Sequence, residues 1–142
     1  MDRGHELALA LRAAYLAMHR KTLAALAEEG ATPEQFVVLA ALTEAEAATQ
    51  QELVRRTASD PNTVRAMLVL LERRGLVERR PHPTDRRART VALTPDGRQC
   101  LERLWRRSEP VREQMTAALE QEETADLVGL LRRVEAAMGG SD

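Results

Sequence analysis

The amino-acid sequence predicts a mainly α-helical protein with one small β-hairpin, arranged as a winged helix-turn-helix with further helices at its two ends. Three observations support this class. Apolar residues recur at helical spacing along most of the chain, with capping residues before the stripes and glycine or proline after them. Between Leu76 and Leu93 the apolar period falls to two around a loop rich in proline and arginine, the pattern of two short strands and a turn. Charge is also segregated. Residues 1–54 carry four basic and eight acidic side chains, residues 55–112 fifteen and seven, and residues 113–142 two and seven, so a formal net charge of −1 hides a middle segment of +8 between ends of −4 and −5.

A length of 142 residues fits one domain, and 44% hydrophobic with 30% charged residues supplies a core and excludes a wholly disordered chain. Aromatics make up only 2% (Tyr15, Phe36, Trp105), too few for a base-stacking platform that binds single strands. The single cysteine, Cys100, forms neither an internal disulfide nor a thiolate metal cluster, which points to the reducing cytoplasm. Arg3, Glu6, Arg12 and Arg20 interrupt the apolar N-terminal stretch, so neither a signal peptide nor a membrane span is expected.

The first helix is expected over about Glu6 to Glu28, ending at Gly30. Leu7, Leu11, Ala14, Met18 and Thr22 line one face, and Leu9, Leu16 and Leu23 recur on another; two apolar faces need two partners, here a core and a subunit interface. Thr32-Pro33-Glu34-Gln35 reads as a capping box opening a second helix to about Thr43. Thr49-Gln50-Gln51-Glu52 reads as another, opening a short helix to about Thr57. Asp60 caps the next, with Pro61 at its first position, Val64, Met67, Leu68 and Leu71 at helical spacing, and Gly75 as its stop. Two strands then flank the loop Pro81 to Arg89, and Thr94-Pro95-Asp96 caps a long helix, expected to bend at Pro110. A last helix carries the stripe Leu127, Leu130, Leu131, Val134 and Met138 before a frayed tail, Gly139 to Asp142.

Two short helices about three residues apart form a helix-turn-helix candidate, whose second helix would lie in the major groove of DNA. With Val64, Leu68 and Leu71 turned inward, Pro61, Asn62, Arg65 and either Ala66 or Val69 face outward, and Thr63 is placed to reach a phosphate. Asn62 and Arg65 are the candidate base readers, because Asn pairs bidentately with adenine and Arg with guanine. Gln50 and Gln51 open the preceding helix, where amide groups and backbone N–H groups hold phosphate. Arg79, Arg80, Arg86, Arg87 and Arg89 suit a finger entering the electronegative minor groove. A lone carboxylate there would repel phosphate, so Asp85 is expected to position the wing by gripping an arginine fork bidentately.

Within Thr49 to Gly97 stand Gln51-Glu52-Leu53, Asp60-Pro61-Asn62-Thr63-Val64, Leu71-Glu72-Arg73-Arg74-Gly75-Leu76-Val77, Asp85-Arg86-Arg87 and Leu93-Thr94-Pro95-Asp96-Gly97. On these residues the chain resembles the multiple-antibiotic-resistance regulator (MarR) family of winged-helix transcription factors, and its helix order matches that family from end to end. The resemblance implies one domain over 1–142, with N- and C-terminal dimerisation helices (1–30 and 110–142) around a DNA-binding lobe over 32–109 that includes the start of the long linking helix. It implies a cytoplasmic homodimer on double-stranded DNA at a pseudo-palindromic operator, repressing transcription until a small ligand or an oxidant releases it. Asp85 and Arg87 fall on the family's wing pair, with Arg87 reaching the minor groove and Arg86 close to phosphate. Ala66 stands where a basic residue often follows the position of Arg65, leaving more of the major-groove readout to Arg65.

The family also implies a small phenolic or aromatic acid ligand, held between the dimerisation helices and the DNA-binding lobe. Tyr15, His19, Phe36 and Trp105 are the candidate lining residues, with Arg12 as the carboxylate partner. His5 and His82 read as surface residues. Cys100 reads as a packing thiol, since the reactive cysteine of the peroxide-sensing members lies near the N-terminus. Three scattered histidines, one cysteine, no glycine-rich phosphate loop and no His-Glu-x-x-His leave no expected catalytic site, metal or cofactor. The alternative reading is a helical dimeric protein-interaction module that regulates without an operator.

Overall fold

Caps written into the sequence set most element boundaries in the computed structural model, which describes residues 1–140; Ser141 and Asp142, the end of the expected tail, lie outside the described residues. Helix α1 spans Arg3–Leu26 and starts earlier than expected, because the Asp2 carboxylate accepts the His5 N–H at 2.9 Å. A 3₁₀ turn, Ala27–Glu29, ends at Gly30. Helix α2, Pro33–Ala41, opens on the full reciprocal box: the Gln35 N–H donates to the Thr32 hydroxyl at 3.2 Å, and the Thr32 N–H to the Gln35 carbonyl oxygen at 3.1 Å.

Helix α3, Gln50–Thr57, opens on half of a box. The Thr49 hydroxyl accepts the Glu52 N–H at 3.1 Å, but the Glu52 carboxylate takes the Thr49 hydroxyl and the Arg56 guanidinium rather than the Thr49 N–H. Ala58 turns the chain in the left-handed region at φ 54°, a conformation that favours glycine. Helix α4, Pro61–Arg73, follows under its Asp60 cap. Strands β1 (Val77–Pro81) and β2 (Arg89–Leu93) pair antiparallel from Val77 opposite Leu93 to Pro81 opposite Arg89. Ala48 adds one rung of a third strand to Val91, through N–H···O bonds of 2.9 and 2.7 Å. Helix α5, Pro95–Ala117, continues through Pro110, and α6, Gln121–Ala137, closes the described chain.

The core lies in the middle of the chain. Leu26, Leu39, Leu53, Val64, Leu68, Leu71, Val91 and Leu104 are almost wholly inaccessible, drawn from the end of α1, from α2 to α5 and from β2. Cys100 is buried among them, the packing thiol expected of it. The two outer helices differ. Only Leu26 of α1 is buried, and no residue of α6 is, so Leu127, Val128, Leu130 and Leu131 stand 39–52% exposed in the single chain.

One junction sets the angles between α4, the hairpin and α5. Gly75, at φ 72°, turns the chain out of α4. The Thr94 hydroxyl donates to the Gly75 carbonyl at 2.6 Å and the Thr94 N–H to the Leu76 carbonyl at 3.1 Å, while the same hydroxyl caps α5 by accepting the Gly97 N–H at 3.0 Å. Gly97 then passes so close to the turn that leads into β1 that a Cβ there would lie 1.9 Å from the Leu76 carbonyl oxygen. A second tie holds α5 to the end of α1. The Glu29 carboxylate, 17% exposed, accepts from Arg103 at 3.1 Å and Arg107 at 3.3 Å, and Glu28 pairs with Arg107 at 3.0 Å. The Arg103 hydrogen bond first, and Arg107 with it, hold the Glu29 carboxyl below the ordinary carboxylate range against the opposing effect of partial burial.

Two stability measurements check these ties. Gly97→Ala is expected to cost at least about 1–3 kcal/mol, because the obstacle is main chain and cannot rotate away, and thermal unfolding should show a Tm lowered by several degrees. Glu29 has a depressed pKa in the folded state, so its contribution is present above the ordinary value of 4.5 and is lost as pH falls through the lower folded value. Denaturant midpoints followed from about pH 6 to about pH 3 should therefore fall more steeply for wild type than for Glu29→Gln, the two curves converging in acid.

Candidate nucleic-acid interface

Helix α4 divides its residues as a recognition helix requires. Val64, Leu68 and Leu71 are buried against the lobe, and Pro61, Asn62, Arg65, Ala66 and Val69 are exposed. Its first turn is fixed from two sides. Asp60 accepts the Thr63 N–H at 2.9 Å and the Thr63 hydroxyl at 2.7 Å, and these bonds, the hydroxyl foremost, hold the Asp60 carboxyl below its usual range. The Gln50 amide donates to the Pro61 carbonyl at 3.3 Å, tying the start of α3 to the start of α4. Two expectations change as a result. The Thr63 hydroxyl proton belongs to Asp60 and is not free for a phosphate, and Gln50 braces the helix pair while Gln51 stands exposed beside it.

In the hairpin, carboxylates decide which guanidiniums are available. Arg79 pairs with Glu72 at 3.0 Å, and Arg80 with Glu78 at 2.8 Å and Glu46 at 3.6 Å. These are the arginines at the base. Among the described residues Arg86, Arg87 and Arg89 are exposed with no carboxylate partner, as is Arg65 on α4. The arginine fork expected on Asp85 is not formed. Its carboxylate instead accepts the backbone N–H of Arg87 at 2.9 Å, so Asp85 positions the wing through the main chain and leaves the Arg87 guanidinium unengaged. A short side chain two residues before its partner reaches that N–H more easily than a distant guanidinium.

His82, read from the sequence as a surface residue, is part of the same loop. Its Nδ1 accepts the backbone N–H of Asp85 at 3.0 Å and of Thr84 at 3.2 Å. The signal that could have found it is its place immediately before Pro83, a residue with no N–H of its own.

Away from the wing, a cleft of about 320 Å³ opens between α1, α2 and α5. Tyr15 and His19 line it, stacked with ring centroids 5.7 Å apart, and so do Phe36 and Arg112. His19 Nδ1 lies 3.9 Å from the Glu34 carboxylate. Arg12 and Trp105 do not line the cleft. Trp105 packs against Phe36 at 6.1 Å and faces a neighbouring groove with Ala40, Leu93 and Leu101. The basic residue at the cleft is Arg112. Its guanidinium lies 3.8 Å over the Trp105 ring and donates to the Ser108 hydroxyl at 2.5 Å and the Trp105 carbonyl at 3.0 Å. Spacings of four and seven residues on α5 were the available signal for this cluster.

Among the described residues no three His, Cys, Asp or Glu side chains are grouped to hold a metal ion, and no helix is long and apolar enough to cross a membrane.

A model of the MarR family matches residues 29–88. The multiple antibiotic resistance protein MarR of Salmonella typhimurium is 34% identical over 104 residues, 72% of this chain and 72% of that protein. The HTH-type transcriptional repressor NicR of Pseudomonas putida is 34% identical over 103 residues, 72% of this chain; the match spans 65% of NicR, a little under two thirds of its length. The structure of BpsR from Bordetella bronchiseptica, described as showing the regulation of its DNA binding by 6-hydroxynicotinic acid, superposes with a TM-score of 0.80 at 32% identity, covering 92% of this chain and 98% of that one.

Proposed function

The chain belongs to the MarR family of transcription regulators, and on that premise we propose that two copies form a cytoplasmic homodimer that binds a pseudo-palindromic operator, represses transcription and is released by a small aromatic acid. One observation carries the DNA-binding reading: Arg65, Arg86, Arg87 and Arg89 stand exposed and without carboxylate partners on α4 and the wing tip, while Arg79 and Arg80 at the wing base are paired. Guanidiniums left without protein partners are the ones that release counterions from a phosphate backbone. In this reading Asn62 and Arg65 read base edges in the major groove, Pro61 and Gln51 border them, and Arg87, flanked by Arg86 and Arg89, enters the minor groove.

The outer helices support the dimer. An apolar α6 stripe with no buried residue, beside an α1 that buries only Leu26, is surface that a second copy covers by two-fold symmetry. The two recognition helices then meet the duplex about one helical turn, roughly 10 base pairs, or a multiple of it, apart. For the ligand, the cleft offers the rings of Tyr15 and Phe36 and one guanidinium, Arg112, whose planar fork matches a carboxylate. The regulation of BpsR by an aromatic acid supports the same class here.

Operator fragments selected from genomic DNA allow both parts to be measured. Arg87→Ala is expected to lower operator affinity at least about tenfold and to reduce the slope of log affinity against log salt by about one, with the dimer intact in sedimentation. Unchanged affinity would favour the protein-interaction module instead. Because Trp105 is the single tryptophan and carries the Arg112 guanidinium on its ring, benzoate or 6-hydroxynicotinate entering the cleft should change its fluorescence. Arg112→Ala should weaken that response about tenfold for the acids and much less for neutral phenol.

A further inference from the structure

We propose that His82 is a second positioning residue of the wing, acting through Asp85: its neutral imidazole, accepting two main-chain N–H groups at Nδ1, fixes the turn from which Arg87 reaches DNA. The inference rests on the DNA-binding reading above and adds a residue to it.

The sequence around His82 leaves the side chain one natural role. Proline on the far side restricts His82 to extended backbone, and Pro83 offers no N–H, so the first donors ahead of the ring are those of Thr84 and Asp85. Both point at the same atom, at 3.2 and 3.0 Å. Two N–H donors on one nitrogen require it to be an acceptor, which puts the ring proton on Nε2. The grip passes forward. Asp85, held by its N–H, uses its carboxylate to take the Arg87 N–H at 2.9 Å, and its carbonyl accepts the Ala88 N–H at 3.2 Å. The His82 N–H closes the loop on the Ala88 carbonyl at 3.4 Å. Two side-chain acceptors, three residues apart, therefore organise a tip whose residues 83–87 are all exposed and bury nothing that could otherwise order them. Neither an imidazolium nor the other tautomer could do this, since each carries a proton on Nδ1.

The test compares wild type, His82→Ala, His82→Asn, His82→Gln, Arg87→Ala and the double variant His82→Ala/Arg87→Ala as intact dimers on one operator fragment selected by wild type. His82→Ala is expected to lose about tenfold in affinity with an unchanged Tm, because the loop contributes no core. His82→Asn should recover most of that loss, its Oδ1 standing where Nδ1 stood, whereas His82→Gln, with its acceptor one carbon further out, should not. With Arg87 already replaced, removing His82 should cost little more, since its effect runs through that side chain. Nitrogen-15 spectra of the DNA-free protein should show His82 as the neutral Nε2–H tautomer. Wild-type affinity in His82→Ala, failure of Asn to rescue, additivity with Arg87→Ala, or a proton on Nδ1 would each overturn the proposal. Wild type ignoring all duplex DNA would instead defeat the DNA-binding reading, and the tautomer measurement would still judge the loop geometry.

Discussion

The passage of Gly97 under the Leu76 carbonyl is the constraint on which the rest of the arrangement depends. At that point four elements meet: the end of α4, the first residues of β1, the end of β2 and the first turn of α5. A side chain of any size at 97 would push α5 off the hairpin, and the Thr94 hydroxyl, bonded to Gly75 on one side and Gly97 on the other, would lose one partner or both. Because the contact is backbone against backbone, it has no soft rotamer to absorb displacement. Helix α4, the hairpin and the root of α5 are therefore packed as one body through this shared contact, which sets the placement of Asn62 and Arg65 relative to the strands that carry the wing.

Within that body, positive charge alone does not select the DNA face. Residues 55–112 carry a net +8, yet many of their guanidiniums have carboxylate partners: Arg56 on Glu44 and Glu52, Arg79 on Glu72, Arg80 on Glu78, and Arg103 and Arg107 on Glu29. The placement of glutamates thus takes these five out of the set open to a polyanion, a set that still includes Arg55, Arg73, Arg98 and Arg106 beside Arg65 and the wing tip. Exposed pairs of this kind add little to stability, commonly less than about 1 kcal/mol each. Their greater effect is on which surface presents unneutralised charge.

This sorting also marks how far the sequence could be read. Features governed by neighbours within four residues were legible: the caps at Thr32, Asp60 and Thr94, the stop at Gly75, the switch to period two after Leu76, and the inward set Val64, Leu68 and Leu71. Features that depend on what folding brings together were not. The rung between Ala48 and Val91 joins residues far apart in sequence, and an alanine-rich stretch has no alternation to reveal it. Charge alone suggests a guanidinium partner for Asp85, whereas the nearer backbone N–H of Arg87 takes its carboxylate. The cleft shows the same failure. Arg12 shares a helix with Tyr15 and His19, but the guanidinium that lines their cleft comes from α5, a helix the sequence places nearly a hundred residues away.

The position of the cleft explains how occupancy could alter DNA binding on the proposed reading. Its walls come from α1, which carries the proposed dimer surface, from α2, which belongs to the lobe, and from α5, which joins the two. Glu29 already clamps α1 to α5 on one side, so a ligand that touches Tyr15, Phe36 and Arg112 together acts on the remaining freedom, the tilt of the lobe against the dimer arm. Tight binding alone would shift nothing. The ligand must favour one tilt over the other, and a hundredfold preference supplies about 2.7 kcal/mol. Arg112 offers a discrete source for that preference, because its guanidinium is committed to the Trp105 carbonyl and the Ser108 hydroxyl and must relinquish at least part of that bonding to meet a carboxylate. Since α4 is packed to the root of α5 through Gly97, a small change of tilt at α5 would, in the proposed dimer, change the separation of the two α4 helices, which a duplex of fixed pitch tolerates poorly.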